Sequence, residues 1–206
     1  MSILGNKVVR REDPRFLTGG GTYVENLKLE RPAYLVYVRS ILAHARITGV
    51  DITEAKAAPG VLGVFTGTEV TEALGLPPNV SPTFPAEMRR PYVAADVVRY
   101  VGQPLVAVLA ESRSAAVDAA ELVLVDYEEL PVVIDLEASA TDEVVLFPDH
   151  GTNVLNRMSS EHQADFSDAE VVVAERIVNQ RLTGAPIEPR AGAAWWTDDG
   201  RLVHWS

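Results

Sequence analysis

Residues 98–127 read VRYVGQPLVAVLAESRSAAVDAAELVLVDY, and this stretch decides the fold. Its apolar run predicts a buried strand over Leu105–Glu111, too short to cross a membrane. Ser112 is placed to cap a helix over Arg113–Leu122, because a serine oxygen accepts hydrogen bonds from the free N–H groups at a helix start. Val123–Tyr127 then returns as a strand. This strand–helix–strand order predicts a right-handed βαβ crossover.

Upstream, residues 1–32 are polar and rich in turn formers, which indicates an irregular arm. The first strand after the arm carries apolar side chains on both faces, which predicts burial on both sides. Five prolines between residues 75 and 95 predict a long ordered loop or a flap. The remaining upstream patterns predict strands at Ala33–Arg39, Ala45–Ile52, Val61–Thr66 and Val98–Val101, and helices at 53–58 and 69–74 capped by Thr53 and Thr68.

Downstream, residues 135–170 are acidic and show no clear periodicity, which indicates a linker. Strands are predicted at Ala169–Arg181, Ala191–Thr197 and Arg201–Trp205. The turn Thr197–Gly200 joins the last two as a hairpin, since Asp and Gly suit a tight turn. Two strands and a hairpin form no closed core by themselves. The fold class is therefore α+β, with an antiparallel set of strands that is incomplete at residue 206.

The composition excludes several classes of function. The 18 basic and 29 acidic residues leave a net charge of −11, which disfavours nucleic acid and anionic membranes as partners. The absence of cysteine excludes disulfides, thiolate metal sites and cysteine nucleophiles. No secretory signal is recognised, and no hydrophobic stretch follows Arg10-Arg11, so we expect a cytoplasmic location. Residues 111–149 hold eleven acidic residues against Arg113, which indicates a solvated face or a docking surface for a partner.

Candidate chemical groups are few. Gly19-Gly20-Gly21-Thr22 lacks the preceding strand and the following lysine of a phosphate loop, so a turn is predicted. Glu128-Glu129 lie next to each other in an extended segment and point to opposite faces, so they form no carboxylate pair. Glu188-Pro189-Arg190 lies between two predicted strands, where it either lines a site or forms a surface turn. Asn79-Val80-Ser81 matches a glycosylation pattern that is inert without a signal peptide.

The histidines show no metal-ligand spacing. His44 lies at a strand start and is expected to bond backbone; structural or exposed roles are expected for His150, His162 and His204 as well. From the residues alone we therefore predict no catalytic, cofactor-binding or metal-binding residue in this chain.

A series of motifs nevertheless resembles the large subunit of the molybdenum hydroxylases, the family of xanthine dehydrogenase, aldehyde oxidase and aerobic carbon monoxide dehydrogenase. The motifs occur in the family's order over nearly the whole chain. They are residues 9–19 (VRREDPRFLTG), 21–23 (GTY), 39–40 (RS), 43–47 (AHARI), 59–61 (PGV), 100–104 (YVGQP), 118–121 (DAAE), 125–128 (VDYE), 179–181 (NQR) and 186–190 (PIEPR).

The resemblance implies an N-terminal arm at 1–14, an α/β-hammerhead domain at 15–135, a linker at 136–168 and the start of a molybdopterin-binding domain at 169–206. It also implies that the family's active-site glutamine, glycine-rich cofactor loops and glutamate base lie beyond Ser206. This chain would then be inactive alone, whether its truncation is natural or artificial. Its exposed edge over residues 171–206 is expected to self-associate.

For a complete subunit, the resemblance implies oxidative hydroxylation with water as the oxygen source. The cofactor would be a molybdenum-pterin in its cytosine dinucleotide form, with iron–sulfur and FAD groups on small and medium partner subunits. Carbon monoxide, aldehydes and N-heterocycles remain open as substrates. The alternative is a free-standing binding or assembly module that uses the acidic face of residues 111–149.

Overall fold

The structure, a computed structural model, describes residues 5, 10–79, 81–158, 164–186 and 188–206. Single turns of 3-10 helix lie at Val24–Asn26 and Ala86–Met88. The helices are α1 (Asp13–Leu17), α2 (Thr53–Ala57), α3 (Gly67–Leu74), α4 (Arg113–Glu121) and α5 (Leu136–Ala140); the strands are β1 (Tyr34–Arg39), β2 (Ala45–Asp51), β3 (Val61–Thr66), β4 (Val97–Val98), β5 (Pro104–Ala110), β6 (Leu124–Glu129), β7 (Ala193–Trp196) and β8 (Leu202–Trp205).

The chain divides into two compact units, one of residues 31–164 and one that joins residues 1–30 to residues 165–206. The domain boundaries expected from the resemblance stay predictions. None of the helices in the described residues combines the length and the apolar character needed to cross a membrane.

Two antiparallel sheets form the unit of residues 31–164. One has the strand order β1-β5-β3 and the other β4-β2-β6. Strand β5 is central, and consecutive residues of it are buried, so both of its faces are covered. Its buried members, with side chains that are at most 1% exposed, are Leu105, Val106, Val108 and Ala110.

The predicted βαβ crossover is wrong, because β5 and β6 belong to different sheets. Both edges of β5 are occupied by β1 and β3, so β6 pairs with β2 instead. The predicted cap is confirmed: the Ser112 hydroxyl accepts a hydrogen bond from the Ala115 N–H at 3.2 Å. Ala116 and Ala119 of α4 are fully buried in the core, as expected for the small-residue face of a closely packed helix.

Helix starts differ from the predicted caps. α3 is capped by Thr66 rather than Thr68: the Glu69 N–H donates to the Thr66 hydroxyl at 3.4 Å, and the Thr66 N–H donates to the Glu69 carboxylate at 2.7 Å. These hydrogen bonds from Thr66 hold the pKa of Glu69 below its ordinary value. At α2 the side chain that accepts is Asp51, which receives the N–H of Thr53 at 2.9 Å.

Burial on both sides of β1 is also wrong. Tyr34, Leu35 and Tyr37 are exposed, and only Val36 and Val38 pack against the core. The strand lies at a sheet edge, and Leu35 and Tyr37, on the face opposite Val36 and Val38, are left uncovered. The strand predicted over Val98–Val101 is limited to β4, because the chain turns away through Gly102 at φ +88°.

The proline-rich loop is ordered where it is described, with Met88, Val93 and Ala94 buried. The predicted linker contains α5, followed by a polar network. The Asp142 carboxylate accepts the Asn153 N–H at 2.6 Å and the Thr152 hydroxyl at 2.7 Å. Both hydrogen bonds lower the pKa of Asp142, and the one from the Asn153 N–H has the larger effect.

In the other unit, the predicted strand over Ala169–Arg181 is wrong: these residues pair with no strand, and each is exposed. An apolar pattern alone therefore did not bring this segment into a sheet. The β7–β8 hairpin is confirmed, with its turn closed by the Thr197 N–H donating to Arg201 O at 2.8 Å and by Gly200 at φ +80°. Trp195 and Trp205 stack with ring centroids 3.7 Å apart.

Candidate functional site

Buried polar residues meet at the junction where β1 ends and β5 begins. Arg39 donates from its guanidinium to Gly102 O at 2.8 Å. The Ser40 N–H donates to Gln103 O at 2.9 Å, and the Gly102 N–H donates to Ser40 O at 2.7 Å. Ser40 and Gln103 are 2% and 3% exposed, so these motif residues are buried and connect the end of β1 to the start of β5.

Gln103 connects this junction to Arg99. The Gln103 side-chain oxygen accepts the Arg99 N–H at 2.8 Å, and the Arg99 Nε donates to Leu146 O at 2.8 Å. The guanidinium also lies 4.8 Å from the ring centroid of Phe147. Burial lowers the pKa of Arg99, against the opposing charges of Asp149 and Asp96. Arg99 therefore attaches the segment around residue 146 to the sheets.

His44 attaches the exit of β6 to the start of β2. Its Nδ1 donates to Pro131 O at 2.6 Å, which assigns the ring proton to Nδ1, and its carbonyl accepts the Leu130 N–H at 3.0 Å. The side chain is 8% exposed. The prediction that His44 bonds backbone is confirmed.

These attachments border an open groove of about 880 Å³. Both signs of charge line it: Arg46, Arg89 and Arg99 on one hand, and acidic side chains such as Glu87 and Asp96 on the other. Mixed charge of this kind suits binding of a polar surface. Within the described parts of the chain, no group of three or more His, Asp or Glu side chains converges to hold a metal ion.

The other sequence candidates do not come together in one site. Gly19 at φ +78° and the Gly20 N–H, which donates to Arg15 O at 2.7 Å, end helix α1, so the glycine run is the predicted turn. His150 lies 3.9 Å from Glu87 at the groove. His204 lies in β8, opposite Ala194. His162 and part of the Asn79-Val80-Ser81 motif lie outside the described residues.

The predicted carboxylate candidates have separate surroundings. Glu128 and Glu129 are consecutive in β6, and Glu128 pairs with Arg46 at 3.1 Å on the surface. Glu188 accepts the Val24 N–H at 2.7 Å, a contact within the unit of residues 1–30 and 165–206. Glu188 therefore ties two distant segments together.

Two larger groups of charged residues lie in the unit of residues 31–164. The acidic residues within 111–149 are all exposed except Asp142, which the hydrogen bonds described above hold in place. Sequence reasoning missed the arginines Arg89, Arg90 and Arg99. A cluster of arginines in a chain of net charge −11 was the available signal.

The comparisons agree with the family that the motifs resemble. The family described as "Aldehyde oxidase and xanthine dehydrogenase, a/b hammerhead domain" matches residues 18–131. Subunit gamma of the 6-hydroxypseudooxynicotine dehydrogenase complex of Paenarthrobacter nicotinovorans is 40% identical over 91% of this chain and 25% of the relative. The nicotine 6-hydroxylase large subunit of the same organism is 38% identical over 99% of this chain and 26% of the relative.

Solved structures share the fold. Quinoline 2-oxidoreductase from Pseudomonas putida 86 matches with a TM-score of 0.82 and 34% identity, over 99% of this chain and 27% of that chain. Aldehyde oxidoreductase from Desulfovibrio gigas matches with a TM-score of 0.79 and 28% identity, over 97% of this chain and 23% of that chain.

The chain thus spans about a quarter of the length of the relatives it matches. Among these relatives are molybdenum-binding subunits, such as that of xanthine dehydrogenase in Escherichia coli. With the family match covering more than half of the sequence, this chain belongs to the aldehyde oxidase and xanthine dehydrogenase family, the molybdenum hydroxylases, and carries their N-terminal a/b hammerhead domain.

Proposed function

We propose that this chain is the N-terminal portion of the large subunit of a molybdenum hydroxylase. The single observation that carries the proposal is the near end-to-end match with the nicotine 6-hydroxylase large subunit, over 99% of this chain. The reaction of the complete enzyme is oxidative hydroxylation with water as the oxygen source. Its substrate is carbon monoxide, an aldehyde or an N-heterocycle.

The described residues of this chain do not fit a molybdenum-pterin site. The described residues supply no converging set of metal ligands, and cysteine is absent from the whole sequence. The groove is open and of mixed charge, which suits no anionic pterin in particular. We therefore assign no catalytic step to these residues. The cofactor, in its cytosine dinucleotide form, is proposed to be held by other parts of the subunit.

The role of this chain is then structural. Buried Ser40 and Gln103 and half-buried Arg99 form a hydrogen-bonded network that connects the sheet of β1 and β5 to the groove wall near Leu146. Such a network is what a structural role requires. We propose iron–sulfur and FAD subunits as partners of the complete enzyme and a cytoplasmic location, which cell fractionation checks. The names of several relatives specify a complex or a large chain.

Residues 169–206 are proposed to begin the molybdopterin-binding domain. Their described part exposes a series of large apolar side chains on extended, unpaired backbone, such as Val173 at 77% and Ile177 at 90% exposure. Unpaired backbone beside apolar side chains recruits other strands. The isolated chain should therefore self-associate through residues 171–206, and a monomer at all concentrations in light scattering would contradict this.

The exposed acidic residues of 111–149 favour a second candidate, a free-standing assembly module that docks basic partners. The two candidate functions predict different coding sequence immediately downstream of Ser206. An in-frame continuation that encodes further subunit segments removes the module. Capture of basic partners by a chain without such a continuation supports it.

A chimera tests the main proposal. This chain replaces the matching N-terminal segment of the nicotine 6-hydroxylase large subunit, and bound molybdenum and dye reduction with nicotine are measured. We expect the chimera to retain both and the isolated chain to show neither. Stoichiometric molybdenum or turnover in the isolated chain would refute its inactivity. A soluble chimera that assembles without molybdenum would refute the structural equivalence.

A further inference from the structure

A small cavity lies beside the groove, in the unit of residues 31–164. Its volume is about 20 Å³, room for one water-sized group. Three arginines line it, together with neutral residues only. The lining residues are Arg89, Arg90, Arg99, Tyr100, Gln103, Phe147 and Pro91. In a chain of net charge −11, a cavity bordered by three cations and by no carboxylate is unusual.

The arginines are held in place by contacts that leave their terminal nitrogens available. Arg99 uses its Nε on Leu146 O, and Arg89 uses its Nε on Ala86 O at 3.4 Å. Arg90 lies over Tyr100, 5.6 Å from the ring centroid. Within the described residues, no ion pair involves any of the three guanidinium groups.

We propose that Arg89, Arg90 and Arg99 form a binding site for a carboxylate group. Guanidinium groups match the planar, two-oxygen geometry of a carboxylate, with two parallel hydrogen bonds. The cavity has room for one oxygen of the anion, so the second oxygen and the body of the ligand would lie at the cavity mouth. The rings of Tyr100 and Phe147 and the side chain of Pro91 border the cavity, so a ligand with an apolar or aromatic body beside its carboxylate fits best.

The surrounding charges set the expected strength. Asp149 and Asp96 act on Arg99 from the groove, and Glu87 also lines the groove. None of them lines the cavity. Their negative potential weakens binding without occupying the site, so the affinity should be modest.

Side-chain NMR of the arginine Nε–H groups, during titration of this chain with sodium benzoate at constant ionic strength, tests the site. We expect saturable shifts with benzoate, weaker ones with acetate and weaker still with inorganic phosphate. An oligoglutamate peptide in a parallel titration distinguishes a protein carboxylate from that of a small molecule. Arg90 is exposed, so Arg90→Gln should leave the fold intact.

Arg90→Gln should weaken benzoate binding about tenfold, the equivalent of one charged hydrogen bond. Arg46→Gln is the matched control, because Arg46 lines the groove but not the cavity, and it should leave binding unchanged. Far-UV circular dichroism verifies the fold of each variant. Shifts that do not saturate, equal shifts with chloride, or equal weakening by Arg46→Gln would each overturn the proposal.

Discussion

Gly67, the first residue of α3, is the position where the tertiary structure most clearly reverses an expectation from helix propensity. Alanine favours a helix over glycine by about 1 kcal/mol, so Gly67→Ala would be expected to stabilise the protein. In the structure, a Cβ at this position would lie 2.1 Å from the carbonyl oxygen of Ala94 and 2.7 Å from the backbone nitrogen of Ala95. Both obstacles are backbone atoms, which cannot rotate away.

The loss of unfolding free energy in Gly67→Ala depends on how far the backbone at Ala94 must shift to admit the new methyl group. Inserting a methyl group into a tightly packed site costs about 1–3 kcal/mol. Ala94 is held by its N–H, which donates to Pro104 O at 2.8 Å, and loss of that bond costs about 1 kcal/mol more. After subtraction of the helix gain, Gly67→Ala should destabilise the protein by about 1–3 kcal/mol.

Urea unfolding followed by far-UV circular dichroism measures this difference. For a slope of about 1–3 kcal/mol per molar, the midpoint should fall by about 1 M. Gly184→Ala is the control, since a Cβ there meets nothing within 4 Å, and it should leave the midpoint unchanged. A Gly67→Ala protein as stable as the parent would show that the close approach to Ala94 is not a real constraint.

Three further perturbations test other parts of the fold. Leu105→Ala removes a side chain that is 1% exposed in β5, and calorimetry should show a loss of about 2–5 kcal/mol. His44→Ala deprives Pro131 O of its donor and should cost about 1–3 kcal/mol in urea unfolding, whereas His44→Asn, which retains an N–H donor, should cost less. The lowered pKa of Asp142 means that its hydrogen bonds stabilise the fold above the unfolded pKa of about 3.9 and are lost as pH falls through the folded value. The protection factor of the Asn153 amide, that is, its exchange rate corrected for the intrinsic pH dependence of exchange, should therefore fall as pH drops through the folded pKa, and Asp142→Asn should abolish this change.

Local patterns predicted local elements well. Ser112 has an oxygen that suits a helix start, and β3 and the hairpin turn at Thr197–Gly200 follow from alternation and turn chemistry. The caps of α2 and α3 were misplaced because several Thr and Asp residues stand within two positions of each helix start. Which oxygen is used depends on backbone direction, which composition does not specify.

Strand pairing was harder to predict from the sequence than the local elements were. Strand–helix–strand order suggested that β5 and β6 share a sheet. In the structure, β1 and β3 pair with the two edges of β5, so β6 has no edge of β5 to pair with. The apolar segment around Val173 has the composition of a strand, yet it pairs with none of the strands in the described residues. Pairing is a property of two segments, so one segment's pattern cannot establish it.

The sequence by itself determined the family, through motifs in a characteristic order, and the elements whose signals lie within a few residues of one another. Only the tertiary structure decided the division into two sheets, the close approach of Gly67 to Ala94 and the convergence of Arg89, Arg90 and Arg99. The physical reason is distance along the chain. Caps and turns are short-range interactions, whereas edge competition, packing and charge clustering arise between segments that only folding brings together.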